Sequence, residues 1–562
     1  MDSSIPVPPW EERPVTQPSS PVFFDRIKAW LKECEAGIAD KHKMCLPSEA
    51  SQFQLPTRLL KIVQERGEFK ISLKEVYGET LRYATLSHCW GEHQPLRTTK
   101  ENLNHHVKEI KWSSLPRTFQ DAVMVSHGLG ISYLWIDSLC IVQDDEVDWA
   151  KEAARMKDIY ARSYVTLAAA AGKDSSHDLF PREPEAVSVS EEEKSRRCAR
   201  YSVWTTSVLS TRAWVMQERL LSRRTLYFYE DEVLLECPST LLCQCSGSNS
   251  VSNSSYQRWA LTWGGTRQCT DNESILCRFT QASRHMNDSS RNQQPHWEET
   301  LELAPCSSDT AVFALATLWD ELLEQYCRLN ITKLSDRLPA LAGIAGTFGN
   351  SGVFGEYTSG LWDGLFLSLM LWYIEPTNSP KLKRPCKADP TLAPSWSWAS
   401  VSGAWCYRRM PFSCDFYAVA IPHQPDSVAQ SHDYLGAAKT GFITIEGYIA
   451  TATIQYDPLC LECQQDHTYA NRFKAQKIKL VADDEYIEMW PDFVMDALEN
   501  PVNSGELVYC LPIQGNSESE PRVMQGLVLR INEQDPVLFS RIGIFQSHIW
   551  FGSSEKTEVK IC

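Results

Sequence analysis

Between Tyr83 and Tyr229, short apolar runs that read as buried strands alternate with amphipathic helical stretches, and this alternation limits the fold more than any other feature. Tyr83–Ser87 (YATLS) is the first strand. Leu115-Pro116-Arg117-Thr118 opens a helix with Phe119, Ala122, Val123 and Ser126 on one face, and Gly128 and Gly130 close it. Ile131–Ile136 is a second strand, ending at Asp137. A second helix starts near Asp148, a helix-capping residue type, and carries Trp149, Ala153, Met156 and Tyr160 as its apolar stripe. Tyr164–Ala171, a helix over Thr211–Leu221 and a strand over Thr225–Tyr229 complete the series. Strands apolar along their whole length need cover on both faces. The expected class is therefore α/β, a parallel sheet between helical layers. Ligands of such sheets bind beyond the carboxyl ends of the strands. That singles out His88–Gly91, Asp137–Asp145 and the start of the third helix.

Four segments follow from the patterning. Residues 1–23, rich in Pro and Ser, read as a disordered tail, and 24–80 as an N-terminal cap segment with an amphipathic stretch, Phe24–Gly37, and a short strand, Phe69–Leu73. Residues 81–230 form the α/β domain, interrupted by a polar insertion at Glu183–Arg200. Residues 231–562 read as an α+β regulatory region with a β-rich end. In it, Asp309–Leu329 and Leu361–Tyr373 read as helices, and Phe442–Ile445, Leu507–Ile513 and Leu527–Ile531 as strands.

The net charge of −16 and the lack of a long Lys/Arg run argue against nucleic acid as a partner. The longest apolar stretch, Leu361–Tyr373, carries Asp363 and falls short of the roughly 20 residues a membrane span needs. The start of the chain lacks the charged-then-apolar pattern of a secretory leader, so the 19 cysteines are expected as reduced thiols in a cytoplasmic protein. Cys34, His42 and Cys45 have ligand-like spacing without an evident fourth ligand, and Cys243/Cys245 and Cys460/Cys463 are single pairs. Structural zinc wants four ligands, so the expectation is no metal site.

Three ordered blocks resemble the heterokaryon-incompatibility (HET) domain of fungal proteins. Tyr83-Ala84-Thr85-Leu86-Ser87-His88-Cys89-Trp90-Gly91 is similar to the family's Y-x-x-L-S-Y-C-W-G, with His88 in place of the usual Tyr. The second block runs from Leu115-Pro116 through Tyr133–Ile141 and Gln143-Asp144-Asp145 to Ile159-Tyr160. The third, Arg212–Ser222, is similar to R-x-W-x-x-Q-E-R-x-L-S. The flanks Leu55–Leu60, Ser335–Leu341 and Pro394–Ser400 also look like full-length members. The resemblance implies a protein that triggers growth arrest or cell death when genetically unlike fungal cells fuse, through self-assembly or protein partners. HET domains in turn look like Toll/interleukin receptor (TIR) domains, which implies a TIR- or flavodoxin-like fold. In that comparison Trp214–Glu218 is similar to the W-x-x-x-E segment of NAD-cleaving TIR domains, and NAD becomes a candidate substrate. No cofactor is otherwise implied.

Each candidate residue carries a structural alternative. Glu218 either stabilises the oxocarbenium-like state of nicotinamide–ribose cleavage or pairs with Arg212 or Arg219 to fix its helix. Asp137 either orients a ribose or a catalytic water, or caps the next turn. Ser87, His88, Trp90, Gly91 and Trp214 are the candidate cofactor-facing residues. In this loop Trp90 either stacks on a base or plugs the core, and Gly91 either admits a phosphate or makes a turn. Glu152 reads as a salt-bridge residue.

Overall fold

The computed structural model describes residues 20–36, 42, 45, 55–77, 81–91, 96–180, 207–230, 233–243, 278–280, 282–283, 308–349, 352, 354–374, 393–401, 415–421, 442–455, 476–480, 486–492, 502–516, 523–548 and 555–562. The insertion at 183–200 and the cysteines at 245, 460 and 463 lie outside them. The chain divides into two units, Met1–Ala311 and Val312–Cys562.

The first unit is built on one sheet. Its strands are β1 (Arg58–Glu65), β2 (Glu68–Glu75), β3 (Ala84–Ser87), β4 (Tyr133–Trp135), β5 (Val165–Ala168), β6 (Thr225–Phe228), β7 (Val233–Cys237) and β8 (Thr240–Cys243). They lie in the order β2-β1-β4-β3-β5-β6-β7-β8. The expected parallel core is present. β3 pairs parallel with β4 (Ala84↔Leu134) on one side and with β5 (Thr85↔Thr166) on the other, and β5 pairs parallel with β6. The sheet continues antiparallel past both ends of 81–230, through the β1–β2 hairpin and through β7 and β8. Arg66 and Gly67, both at positive φ, make the hairpin turn.

The helices of this unit include α1 (Pro21–Ala36), α2 (Leu103–Lys108), α3 (Arg117–Gly128), α4 (Asp137–Cys140), α5 (Glu146–Arg162) and α6 (Ala213–Leu221). α1 begins three residues inside the stretch read as a tail. Pro21 presets φ for a first helical turn, and Ser20 Oγ accepts from the backbone amide of Phe23 at 3.3 Å. α3 buries the expected Phe119, Ala122, Val123 and Ser126. α5 starts earlier than Asp148 because Asp145 is its cap, accepting from the amides of Val147 and Asp148. Asp148 instead pairs with Arg58 and accepts from Val142 N. β3 and β5 are buried along their length, and their two threonines satisfy each other. Thr85 and Thr166 hydroxyls lie 2.7 Å apart, and Thr166 reaches Ser222 at 2.6 Å. Glu152 is a buried partner, accepting from Thr57 Oγ1 at 2.5 Å with Arg155 at 3.4 Å.

A buried ion pair ties α6 to β7. Arg219 donates to both oxygens of Glu236, at 2.9 and 2.5 Å, and Tyr227 Oη donates to the same carboxylate at 2.6 Å.

The second unit has helices α7 (Ser308–Cys327) and α8 (Pro339–Gly349) and a large, mostly antiparallel sheet that includes Ile443–Gly447, Leu507–Asn516 and Val523–Ile531, as the sequence pattern predicts. The expected helix at 361–373 is a correction. Leu361–Trp362 is a short strand and only Phe366–Leu369 is α-helical, because Asp363-Gly364 breaks the run with a 3-10 turn. Trp396 and Trp398 are buried in a turn and a 3-10 segment. Two family-like flanks meet here: the Arg337 guanidinium lies 5.1 Å from the Trp398 ring centre. Arg541 forms a buried pair with Asp492 and stacks 3.5 Å over Trp372.

Truncating Glu236 leaves the Arg219 guanidinium charged and buried. We expect Glu236→Ala to cost about 3–5 kcal/mol and the double variant Arg219→Met/Glu236→Leu to recover most of it, read as urea midpoints.

Candidate functional site

β3 and β4 run side by side in the same direction, so the segments that leave their carboxyl ends emerge together. From β3 come Ser87, His88, Cys89, Trp90 and Gly91; from β4, after Ile136, comes Asp137 at the first turn of α4. The two segments are joined. Trp90 Nε1 donates to Asp137 Oδ2 at 2.9 Å, and His88 Nδ1 lies 3.9 Å from Asp137 Oδ1. Asp137 also accepts from the Ser138 amide at 2.7 Å, the turn-capping arrangement weighed above, while its side chain stays 28% exposed. Trp90 is half-buried. Its ring nitrogen is committed to Asp137.

His88 is buried edge-on against Phe119 of α3, with ring centres 5.0 Å apart. Burial pushes its pKa down, against the opposing pull of Asp137, so the ring is neutral at neutral pH. Cys89 points into a separate apolar cluster with Ala168 and Val215, and burial pushes its thiol pKa up. Gly91 has φ +78°, and a Cβ there would fall 2.3 Å from Asp174 Cβ. The glycine is required by the close approach of Asp174, whose side chain fills the space beside it.

α6 brings Glu218 to this neighbourhood. The residue is buried, 8% exposed. Burial raises its pKa to about 7, Asp137 adds to the rise, and the Ser87 hydroxyl, the Arg212 guanidinium and the Tyr160 hydroxyl oppose it. Ser87 faces the carboxyl, yet neither Ser87 Oγ nor Glu218 Oε2 has a hydrogen-bond partner among the described residues. The two arginines that might have neutralised Glu218 are engaged elsewhere. Arg219 is held by Glu236, and Arg212 donates to the carbonyl of His88 at 2.8 Å. Trp214, four residues before Glu218, is half-buried on the same helix and packs against the main core.

The strand ends therefore bring together Ser87, His88, Trp90, Asp137 and Glu218. Tyr160 of α5 joins them, a residue the sequence reading used only as part of an apolar stripe. Its hydroxyl faces Glu218, and burial holds its pKa well above the ordinary tyrosine value. A titratable side chain in an otherwise apolar helical stripe was the available signal. A carboxyl that is half-protonated near neutral pH, with one oxygen unsatisfied, can exchange a proton or stabilise a nearby positive charge.

The first unit also corrects the expectation about metal ligands. Cys34, His42 and Cys45 do gather, and Cys237 of β7 supplies the fourth donor atom that local spacing could not reveal.

This architecture defines an α/β domain whose polar residues collect at the carboxyl ends of parallel strands. Residues 83–218 match the family model of the heterokaryon incompatibility protein (HET), so this part of the chain carries a HET domain. No curated protein and no solved structure matches the chain. Among the described residues, no helix is long and apolar enough to cross a membrane.

Between the ordinary carboxyl pKa of 4.5 and about 7, the folded chain holds a proton at Glu218 that the unfolded chain has released. The side chain's contribution to stability therefore falls as pH rises through that window and stays low above it. Relative to the native chain, Glu218→Gln should gain up to about 3 kcal/mol between roughly pH 4 and pH 8, measured by denaturant unfolding at each pH. A difference that does not change with pH would contradict a carboxyl whose pKa burial has raised.

Proposed function

We propose that this chain is a heterokaryon-incompatibility-type regulator of fungal cells. It signals growth arrest or cell death in non-self recognition through its HET domain, by assembling with itself or with protein partners. The HET match over residues 83–218 carries this reading. The acidic balance of the chain favours protein over nucleic acid as the partner. The buried free thiols Cys89, Cys140, Cys327 and Cys510 suit a reducing compartment, consistent with action in the cytoplasm.

A second reading rests on a different observation, the buried Glu218 carboxyl at the strand ends, whose Oε2 lacks a hydrogen-bond partner among the described residues. In this reading the domain is a TIR-like NAD glycohydrolase. The parallel strands lie in the order second, first, third, fourth along the chain, which supports the comparison with flavodoxin-like and TIR folds. The bond from nicotinamide nitrogen to ribose C1′ breaks, and neutral nicotinamide leaves with the electron pair. Ionised Glu218 stabilises the cationic ribose, and water adds at C1′ and releases a proton. Asp137, partly exposed beside Trp90, is the second acidic group available to orient the ribose hydroxyls or that water.

The test is the full chain fused to an inducible dimeriser and expressed in a filamentous fungus, with colony growth and cellular NAD followed together. Dimerisation should stop growth. If Glu218→Gln still stops growth while NAD stays level, assembly alone suffices. If it restores growth and prevents a fall in NAD seen with the native chain, the enzymatic reading holds. Normal growth of cells holding the dimerised native chain would overturn the regulatory assignment.

A further inference from the structure

Away from the strand ends, one group of side chains in the first unit has a geometry that ordinary core packing does not require. Cys34 lies on α1, and His42 and Cys45 follow it in the N-terminal segment. Cys237 is the last residue of β7, 195 residues after His42. The four are buried, with Cys34 and Cys237 at 0% exposure. Their donor atoms, three sulfurs and one imidazole nitrogen, all lie within 4.8 Å of one another.

The individual distances are informative. Cys45 Sγ lies 3.5 Å and Cys237 Sγ 3.7 Å from His42 Nδ1. Zinc–sulfur bonds of about 2.3 Å and a zinc–nitrogen bond of about 2.0 Å give a tetrahedron with S···N edges of about 3.5 Å and S···S edges of about 3.8 Å. The two S···N separations are close to that S···N edge, with Nδ1 as the ring atom turned inward, and the sulfurs lie within 4.8 Å of one another. The turn that sets the pair is local: Cys45 N donates to the carbonyl of His42 at 2.9 Å, holding an H-x-x-C knuckle. Ser239 Oγ sits 3.5 Å from Cys45 Sγ, in place to donate to a thiolate and orient it. Three thiolates and an imidazole form a soft donor set suited to zinc, and carboxylates, the ligands of harder cations, are absent from the group.

We propose that Cys34, His42, Cys45 and Cys237 bind one zinc ion in a closed, structural site that fastens the N-terminal segment to β7. On binding, the three thiols release their protons to solvent and no electrons are exchanged. With four protein ligands and no open coordination position, the site has a folding role rather than a catalytic one.

The experiment uses the full chain purified under reducing conditions. Metal analysis should find one zinc per chain that survives gel filtration. Replacement by cobalt(II) should give visible d–d bands of tetrahedral intensity and near-ultraviolet charge-transfer bands of three thiolates. Cys237→Ser should weaken binding by about a hundredfold or more, whereas His42→Cys, which keeps four soft ligands, should retain the ion. A folded native chain that takes up neither zinc nor cobalt would overturn the proposal. So would a cobalt spectrum unchanged in Cys237→Ser, or a disulfide among these cysteines in place of metal. If Cys237→Ser does not fold, the charge-transfer intensity of the native cobalt form decides: three thiolates per ion support the site, and one or none removes it.

Discussion

The parallel pairing of β3 with β4 is the contact on which the rest of the HET domain's arrangement depends. The register Ala84↔Leu134 sets Ser87 and the chain beyond it beside the chain leaving Trp135. From that follow the Trp90–Asp137 hydrogen bond, the approach of His88 to the same carboxylate, and the meeting of both segments with α6. An antiparallel register would have sent the two segments to opposite ends of the sheet. β3 is buried along its length, and on its other side the Thr85–Thr166–Ser222 hydroxyl chain ties it to β5 and to the end of α6, so that these polar side chains satisfy one another inside the sheet.

Against that background the unsatisfied polar atoms stand out. Asp121 Oδ1 and Ser126 Oγ on α3 and Trp135 Nε1 on β4 lack a hydrogen-bond partner among the described residues, as do Ser87 Oγ, His88 Nε2, Ser138 Oγ and Glu218 Oε2. The last four sit at or just beyond the strand ends. Holding Glu218 there costs about 3 kcal/mol at neutral pH by the size of its pKa displacement.

Much of this was readable in the chain. Strand and helix alternation over Tyr83–Tyr229 is strong because the apolar runs are short and are set between longer stretches of helical period, and the structure keeps every one of those strands. Asp137 and the Ser87–Gly91 loop fall at strand ends, where an α/β reading puts them. What the sequence hid were matters of distance. The antiparallel strands at the edges of the sheet, β1–β2 and β7–β8, lie in segments whose local pattern gave no sign of joining it. Leu361–Tyr373 misled because an apolar run of that length fits helix and strand equally. Tyr160 and Cys237 were missed because their partners, Glu218 and the group of Cys34, His42 and Cys45, come from remote parts of the chain.

The same distance effect gives β7 a part in the domain that its sequence does not suggest. Adjacent residues on a strand face opposite sides of the sheet. Glu236 therefore turns one way, to hold Arg219 of α6, while Cys237 turns the other way, toward His42 and the thiols of the N-terminal segment. Arg219 is the residue next to Glu218. The position of the carboxyl thus depends on a helix anchored to β7, and β7 is in turn fixed from its far face by the cysteine–histidine group. A disturbance of that group would have only one strand to cross to reach the helix that carries Glu218.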